Sequence, residues 1–225
     1  MASLPGARVM PSARSLPGVM EEAALRARGY GRIAGVDEAG RGPLAGPLVA
    51  AAVVLPERWL GDAGPPVLVN DSKQMSAAQR ECAWAVITVQ AHYAAAAASV
   101  EQIDDLGIAE ATRWAMRRAI ELLPAPPDAL LVDWVDLSAT GLPCRSMAHG
   151  DAISLSIAAA SIVAKVTRDR LMLELDAACP GYGFAEHKGY GTPRHLEALR
   201  AMGPCPAHRR SFAPVRDALL SPRML

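Results

Sequence analysis

The chain has 225 residues, of which 51% are hydrophobic, 20% charged and 4% aromatic, a balance that suits one compact domain and excludes a mostly disordered protein. Lys and Arg total 23, as do Asp and Glu, so no global field draws the chain to nucleic acid or to an anionic membrane, and any such attraction has to be local. Cys82, Cys144, Cys179 and Cys205 form no Cys-x-x-Cys pair, which argues against a zinc ribbon or a thioredoxin-type site, and Cys205 with His208 lacks a second ligand pair.

Residues 1–19 carry Arg8 and Arg14, no acid, and a repeated Leu-Pro-Gly, without an amphipathic pattern or a secretory apolar core. They are expected to be a disordered extension, with the ordered chain beginning near Glu21. Residues 21–29 read as a short helix and 32–37 as a strand that ends on Asp37-Glu38, followed at once by Ala39-Gly40-Arg41-Gly42-Pro43. Residues 48–55 form a continuous apolar run with β-branched residues, consistent with a strand covered on both faces. The apolar stretch 44–56 contains Gly46 and Pro47 and is shorter than the roughly 20 residues a membrane helix needs.

A Gly- and Pro-rich loop follows at 61–70, then Asp71-Ser72-Lys73, and Ser76 caps a helix predicted to run to Gln90. Residues 92–100 are expected to be a third strand despite their alanines, and 107–123 a helix closed by Pro124. Residues 129–133 form a buried strand that also ends in an acid, Asp133. Asp151 opens a long helical pattern over 153–178, and after a glycine-rich loop come helices at 193–202 and 213–220. Strands followed by strand–helix alternation predict an α/β sheet with helices on its faces.

Asp37 and Asp133 at strand ends and Asp151 at a helix start can meet where open α/β sheets carry their sites, and with Glu38 they offer four hard carboxylates suited to magnesium or manganese. Consecutive strand residues face opposite ways, so Glu38 either curls back toward Asp37 or ligates through its carbonyl. Taken singly each acid has a plainer role: Asp133 as a strand end, Asp136 as a turn residue, Asp151 as an N-cap. In the turn, glycines allow close backbone approach and Arg41 can fork onto a phosphate.

Ala158, Ser161, Lys165, Arg168 and Met172 fall on one helical stripe, where a cation can meet phosphate; the plainer reading is a Lys165–Asp169 pair on the helix surface. Ser161 and Lys165 also suggest a serine-lysine hydrolase, although their spacing is not Ser-x-x-Lys. Between His187 and Arg216 lie Lys188, Arg194, Arg200, Arg209, Arg210 and Arg216 against the single acid Glu197. In His187-Lys188-Gly189-Tyr190-Gly191-Thr192, glycines flank a tyrosine whose ring can stack on a sugar or base.

The acid pair and its turn, Asp71-Ser72-Lys73, Gly150-Asp151, the run from Ala159 to Asp169, His187 to Thr192, and the closing His208-Arg209-Arg210-Ser211-Phe212-Ala213-Pro214-Val215 together resemble bacterial ribonuclease HII over about residues 21–217. The resemblance implies a ribonuclease H-like mixed five-stranded sheet flanked by helices, a catalytic domain over 20–217 with a C-terminal helical substrate-binding part at about 180–217, and a tail at 218–225. It implies metal-dependent endonucleolytic hydrolysis of RNA in RNA–DNA hybrids, and nicking 5′ of single ribonucleotides in duplex DNA. Asp37, Glu38, Asp133 and Asp151 become the catalytic, metal-binding carboxylates for Mg2+ or Mn2+. Gly40, Arg41 and Gly42 become the reader of the ribose 2′-hydroxyl, and Tyr190 the ring that stacks on the following deoxyribose. Lys73, Lys165 and Arg168 are assigned to phosphates, with Ser161 grouped among the substrate-binding positions.

Hybrid and ribonucleotide-containing duplex are thus the expected partners of a cytoplasmic monomer without a membrane, association with a sliding clamp being left open. The chain departs from the family's pattern at His149, at Gln74-Met75 and at Asp133-Trp134-Val135-Asp136, where Asp136 is the fallback for Asp133. The alternatives are a catalytically silent hybrid-binding module and the serine-lysine hydrolase.

Overall fold

The structure, a computed structural model, describes residues 16–220. Most of the expected N-terminal extension, and the end of the tail from 221, lie outside them. Order begins before Glu21, because the Gly18 N–H donates to Ile153 O (3.0 Å), Gly18 O accepts from Leu155 N (2.8 Å), and helix α1 spans Met20–Arg26.

Five strands form one mixed sheet: β1 Ile33–Ala39, β2 Leu48–Val54, β3 His92–Ala98, β4 Ala129–Asp133 and β5 Cys144–Met147. Their order is β3-β2-β1-β4-β5, antiparallel at β3-β2 and β2-β1 and parallel at β1-β4 and β4-β5. Every residue of β2 from Leu48 through Val53 is fully buried, as expected of a central strand covered on both faces. Burial of each such Leu or Val side chain stabilises the fold by about 1.5–3 kcal/mol. The alanines of β3 pair with β2 in register from Ala94↔Ala52 to Ala98↔Leu48, so tertiary pairing overrides their helical preference.

One face of the sheet is covered by α3, Val100–Glu121, and the other by α2, Ala77–Gln90, and α4, Leu155–Ala178. Helix α3 begins earlier than the predicted residue 107: Ser99 and Gln102 form a capping box, and Gly107 (φ 75°, ψ 153°) is a kink inside the helix. Helix α4 lies directly against β1, which needs a residue without a side chain. A Cβ on Gly35 would fall 2.1 Å from the carbonyl carbon of Ser156.

The start of α4 is pinned from α1, where the buried Glu22 Oε1 accepts from Ser154 Oγ (2.6 Å) and Ser156 N (2.8 Å). A C-terminal lobe follows, with α5 Phe184–His187, α6 Pro193–Met202 and α7 Ala213–Leu220. Helix α7 continues past residue 217, the expected end of the domain.

Candidate active site

β1 and β4 are parallel neighbours with Val36 opposite Val132, so Asp37 and Asp133 emerge side by side at the same end of the sheet. β1 continues through Ala39, so Glu38 is not yet in a turn. By strand alternation Asp37 shares the face of Gly35 and Ala39, toward α4, and Glu38 shares the face of Ala34 and Val36. Both nevertheless line one cleft of about 230 Å³, with Gly40, Arg41, Gly42, Ser72, Lys73, Asp133, Lys165, Arg168 and Tyr190.

Asp151 arrives by a different route from the one expected. It sits in a 3-10 turn, Gly150–Ala152, and the cap of α4 is Ser154, whose hydroxyl accepts from Ile157 N. The same turn donates Gly150 N–H to Asp133 Oδ1 (2.7 Å). Asp136 is exposed and caps its own turn, accepting from Ser138 N (2.9 Å) and Ser138 Oγ (3.1 Å), and it is not among the residues lining the cleft.

The acids perturb one another. Burial above all, then the charges of Glu38, Asp133 and Asp151, raise the Asp37 pKa well above the ordinary carboxylate value. Burial likewise raises Glu38, against the attraction of Arg41, and raises Asp133 against its hydrogen bond from Gly150. Among the described residues no three His, Cys, Asp or Glu side chains stand ready-made as a cation cage. The contacts show why: Lys73 Nζ holds Asp151 Oδ2 (3.1 Å), Arg41 Nη1 faces Glu38 Oε1 (3.6 Å), and Gly150 holds Asp133. Yet Glu38 Oε2 is buried without a hydrogen-bond partner. A buried, orphaned carboxylate oxygen beside a carboxyl whose ionised form is disfavoured by burial and by three acidic neighbours fits a divalent cation.

The turn that carries Lys73 is fixed at its backbone. Asp71 Oδ1 accepts from Lys73 N (2.9 Å), Gln74 Nε2 donates to Asp71 Oδ2 (3.1 Å), and the buried Ser161 Oγ accepts from Ser72 N (3.2 Å). Ser161 therefore holds the Asp-Ser-Lys turn on α4 and is not among the lining residues. Lys165 lines the cleft with its ammonium on Asp169 Oδ1 (2.7 Å), so the expected Lys165–Asp169 pair forms, but largely buried and not solvated on the helix surface.

Arg168 is also internal. It is buried and donates to Pro47 O (2.9 Å) and Ala45 O (3.2 Å), and a Cβ on Gly40 (φ 97°) would fall 2.0 Å from its Nε. The glycine thus lets the turn close onto a guanidinium. Arg209, counted among the surface cations in the sequence, is fully buried as well. Its fork donates to Gly40 O (2.6 Å), Arg41 O (3.0 Å) and Gly46 O (3.0 Å). Two neighbouring buried arginines therefore fix this segment, Arg209 bonding to the Gly-Arg-Gly turn and Arg168 packing on Gly40 and bonding just beyond it, and the only sequence signal for Arg209 was its place in the closing His-Arg-Arg run.

Tyr190 stands beside that turn, with Gly42 at van der Waals distance from its ring (3.8 Å from a Cβ there) and 47% of the residue exposed. Its backbone is fixed by a relay. Cys205 N donates to His208 Nδ1 (3.0 Å), the Nε2 atoms of His208 and His195 are 3.1 Å apart, and His195 Nδ1 donates to Tyr190 O (2.9 Å). One proton between the two rings satisfies every atom, so both histidines are neutral. Burial, then His195, pushes the His208 pKa down to about 4. The Cys205–His208 pair is thus a hydrogen-bonded contact within this relay (3.2 Å from Sγ to Nδ1).

The Ribonuclease HII family profile matches residues 34–215. The chain belongs to the ribonuclease HII family. It is 52% identical over 199 residues to the ribonuclease HII of Nitrobacter hamburgensis, covering 88% of this chain and 73% of that one. To the ribonuclease HII of Dehalococcoides mccartyi it is 49% identical over 211 residues, covering 93% and 99%. The crystal structure of ribonuclease H2 from Pyrococcus horikoshii OT3 superposes with a TM-score of 0.69 at 30% identity, over 84% of this chain and 97% of that one. Ribonuclease HII of Archaeoglobus fulgidus, solved in a complex with PCNA, gives 0.68 at 27% identity, over 81% and 95%. Ribonucleases HII are divalent-metal-dependent endonucleases of RNA–DNA hybrids, so this chain is an endonucleolytic hydrolase. No helix of the described residues is long and apolar enough to cross a membrane.

Proposed function

We propose that this chain hydrolyses the RNA strand of RNA–DNA hybrids and nicks duplex DNA on the 5′ side of a single embedded ribonucleotide, with Mg2+ or Mn2+ held by Asp37, Glu38, Asp133 and Asp151. The observation that carries the reading is one cleft shared by Asp37, Glu38 and Asp133, the Gly-Arg-Gly turn and the Tyr190 ring. When bound, the cations supply an activated water and stabilise the leaving 3′-oxygen. The protein's own residues do the rest. The backbone of Gly40, Arg41 and Gly42, pinned by Arg209 and packed against Arg168, reads the 2′-hydroxyl at close range. Tyr190 stacks on the deoxyribose that follows, and Lys73 and Arg41, both partly exposed, meet the phosphates. The enzyme acts as a cytoplasmic monomer on nucleic acid.

A serine-lysine mechanism finds little support, because the Ser161 hydroxyl accepts from Ser72 and the Lys165 ammonium pairs with Asp169. The test is cleavage of a labelled duplex with one ribonucleotide, beside an all-DNA control, in magnesium, manganese and chelator. A metal-dependent 5′ nick leaving 3′-hydroxyl and 5′-phosphate, lost in Asp133→Asn while hybrid binding persists, is expected. Cleavage in chelator, or full activity of Asp133→Asn, overturns the assignment.

A further inference from the structure

Asp133 is followed by a residue that the local backbone does not favour. Trp134 has φ 57°, the left-handed region that glycine enters freely and a bulky L-residue enters only at a cost. Packing does not compensate, since Trp134 is 68% exposed. It is the one exposed tryptophan of the chain's four: Trp59 is buried, Trp84 lies under the Arg170 guanidinium at 3.8 Å, and Trp114 packs on the core. The backbone around it is held firmly, Trp134 N donating to Met147 O of β5 (2.9 Å) and Ser146 Oγ to Val135 O (2.6 Å). The ring is thus displayed on a fixed stalk.

Its position relative to the acids follows from the strand order. Tyr190 touches the turn that joins β1 to β2, and Trp134 bonds to β5 just beyond the end of β4, so in the order β2-β1-β4-β5 the two residues are anchored on opposite sides of Asp37 and Asp133. His149, exposed and also left-handed (φ 57°), follows β5 and so stands on the same side as Trp134. A strained, solvent-facing indole beside a catalytic carboxylate, opposite an aromatic already poised for a sugar, has the makings of a second stacking surface.

Resting on the hydrolase reading above, we propose that Trp134 is a substrate-binding platform that stacks on a sugar or base of the duplex on the side of the cut opposite Tyr190. The duplex is then gripped by one ring on each side of the reacting phosphate. Stacking on a protein aromatic contributes enough per base that its removal weakens binding by about 5- to 150-fold.

The test compares wild type with Trp134→Gly and Trp134→Phe, by thermal melting, by steady-state cleavage of the single-ribonucleotide duplex, and by tryptophan fluorescence during titration with that duplex in chelator. Trp134→Gly relieves the backbone, so its melting temperature is expected to rise by about 2–4 °C, while KM rises about tenfold or more and kcat stays within about twofold. Trp134→Phe keeps a ring and is expected to retain a KM near wild type, but to lose most of the fluorescence change on duplex binding. Opposite movements of stability and KM distinguish a binding role from a structural one. If wild type cleaves and Trp134→Gly has an unchanged KM, or Trp134→Phe is as impaired as Trp134→Gly, the platform is overturned and the hydrolase reading stands. If wild type itself does not cleave, the hydrolase reading is overturned and the platform with it.

Discussion

Arg209→Met isolates how the Gly-Arg-Gly turn is held, without touching an acid. The Arg209 guanidinium is fully buried, and burial first, then nearby Arg168, pulls its pKa from 12.5 to about 9. That burial is tolerated because its three hydrogen bonds, to Gly40, Arg41 and Gly46, all come from a charged donor. A charged hydrogen bond contributes about 1.5–3 kcal/mol net, and methionine forfeits all three while also shedding the buried charge, which leaves about 2 kcal/mol in favour of arginine. Methionine fills much of the volume without the charge, so Arg209→Met is expected to lose about 2 kcal/mol in urea unfolding and about 4–8 °C in melting temperature.

The catalytic loss is larger than the stability loss, because a turn displaced by about 1 Å forfeits about 10²-fold in rate. We expect kcat/KM on the single-ribonucleotide duplex to fall by about that factor, with stabilisation by magnesium intact. Lysine does not restore it, since a single ammonium lacks the planar fork that reaches three carbonyls. Cleavage by Arg209→Met within about threefold of wild type refutes the reasoning.

Asp37→Asn removes a buried charge raised by its acidic neighbours, so the chelated variant is expected to melt above chelated wild type at neutral pH. Magnesium stabilises wild type but not the variant, and equal metal-induced shifts in differential scanning fluorimetry count against Asp37 as a ligand. His208 has a folded pKa of about 4, below its ordinary 6.5, so the unfolded chain binds the extra proton first and stability falls as pH drops through that window. Wild type is expected to lose about 2–3 kcal/mol between about pH 7 and 4.5 through this group. His208→Gln lacks that part of the slope in urea titrations at the two pH values, and an unchanged slope counts against a neutral, buried His208. Gly35→Ala forces a Cβ to within 2.1 Å of the α4 backbone at Ser156, and an overlap with rigid backbone costs about 3 kcal/mol or more. Soluble Gly35→Ala with a wild-type melting curve contradicts the close packing of β1 on α4.

What the sequence made legible was whatever depends on local pattern. The apolar run ending at Asp133 is β4 with its predicted bounds, and Ser76 caps α2 with Gln79 completing the box. β5 escaped because it is a four-residue strand whose side chains are half-buried or exposed, leaving no apolar alternation to detect. Residues 101–106, the first turns of α3, fall in no predicted element, and only Ser99 and Val100 in the preceding predicted strand, although Ser99 and Gln102 carry the capping signal. Asp151 looked like an N-cap, and Ser154 took that role because Glu22, distant in sequence, anchors it from α1.

The same limit governs the site. The four acids, Arg41, Lys73 and Tyr190 announce themselves by type and spacing. Whether a cation faces solvent or the protein's own carbonyls is decided by long-range packing, and spacing cannot reveal that Arg168 and Arg209 point inward.

That division between inward and outward cations has a physical logic. In the proposed metal-dependent reaction the four carboxylates need counter-charge, and within the chain it comes from Lys73 on Asp151 and Arg41 on Glu38. These are the cations that can leave. The Lys73 side chain is 76% exposed, while its backbone is fastened through Ser72 to Ser161 and through its own N–H to Asp71. Arg41 is likewise partly exposed, on a turn whose carbonyls are held by Arg209. Each ammonium or guanidinium can therefore swing from carboxylate to phosphate without moving the chain that carries it. The buried arginines do the opposite work, since guanidiniums enclosed by the fold and bonded to its carbonyls are not drawn away by a phosphate or by salt, and the segment they hold keeps one geometry whichever charges occupy the cleft.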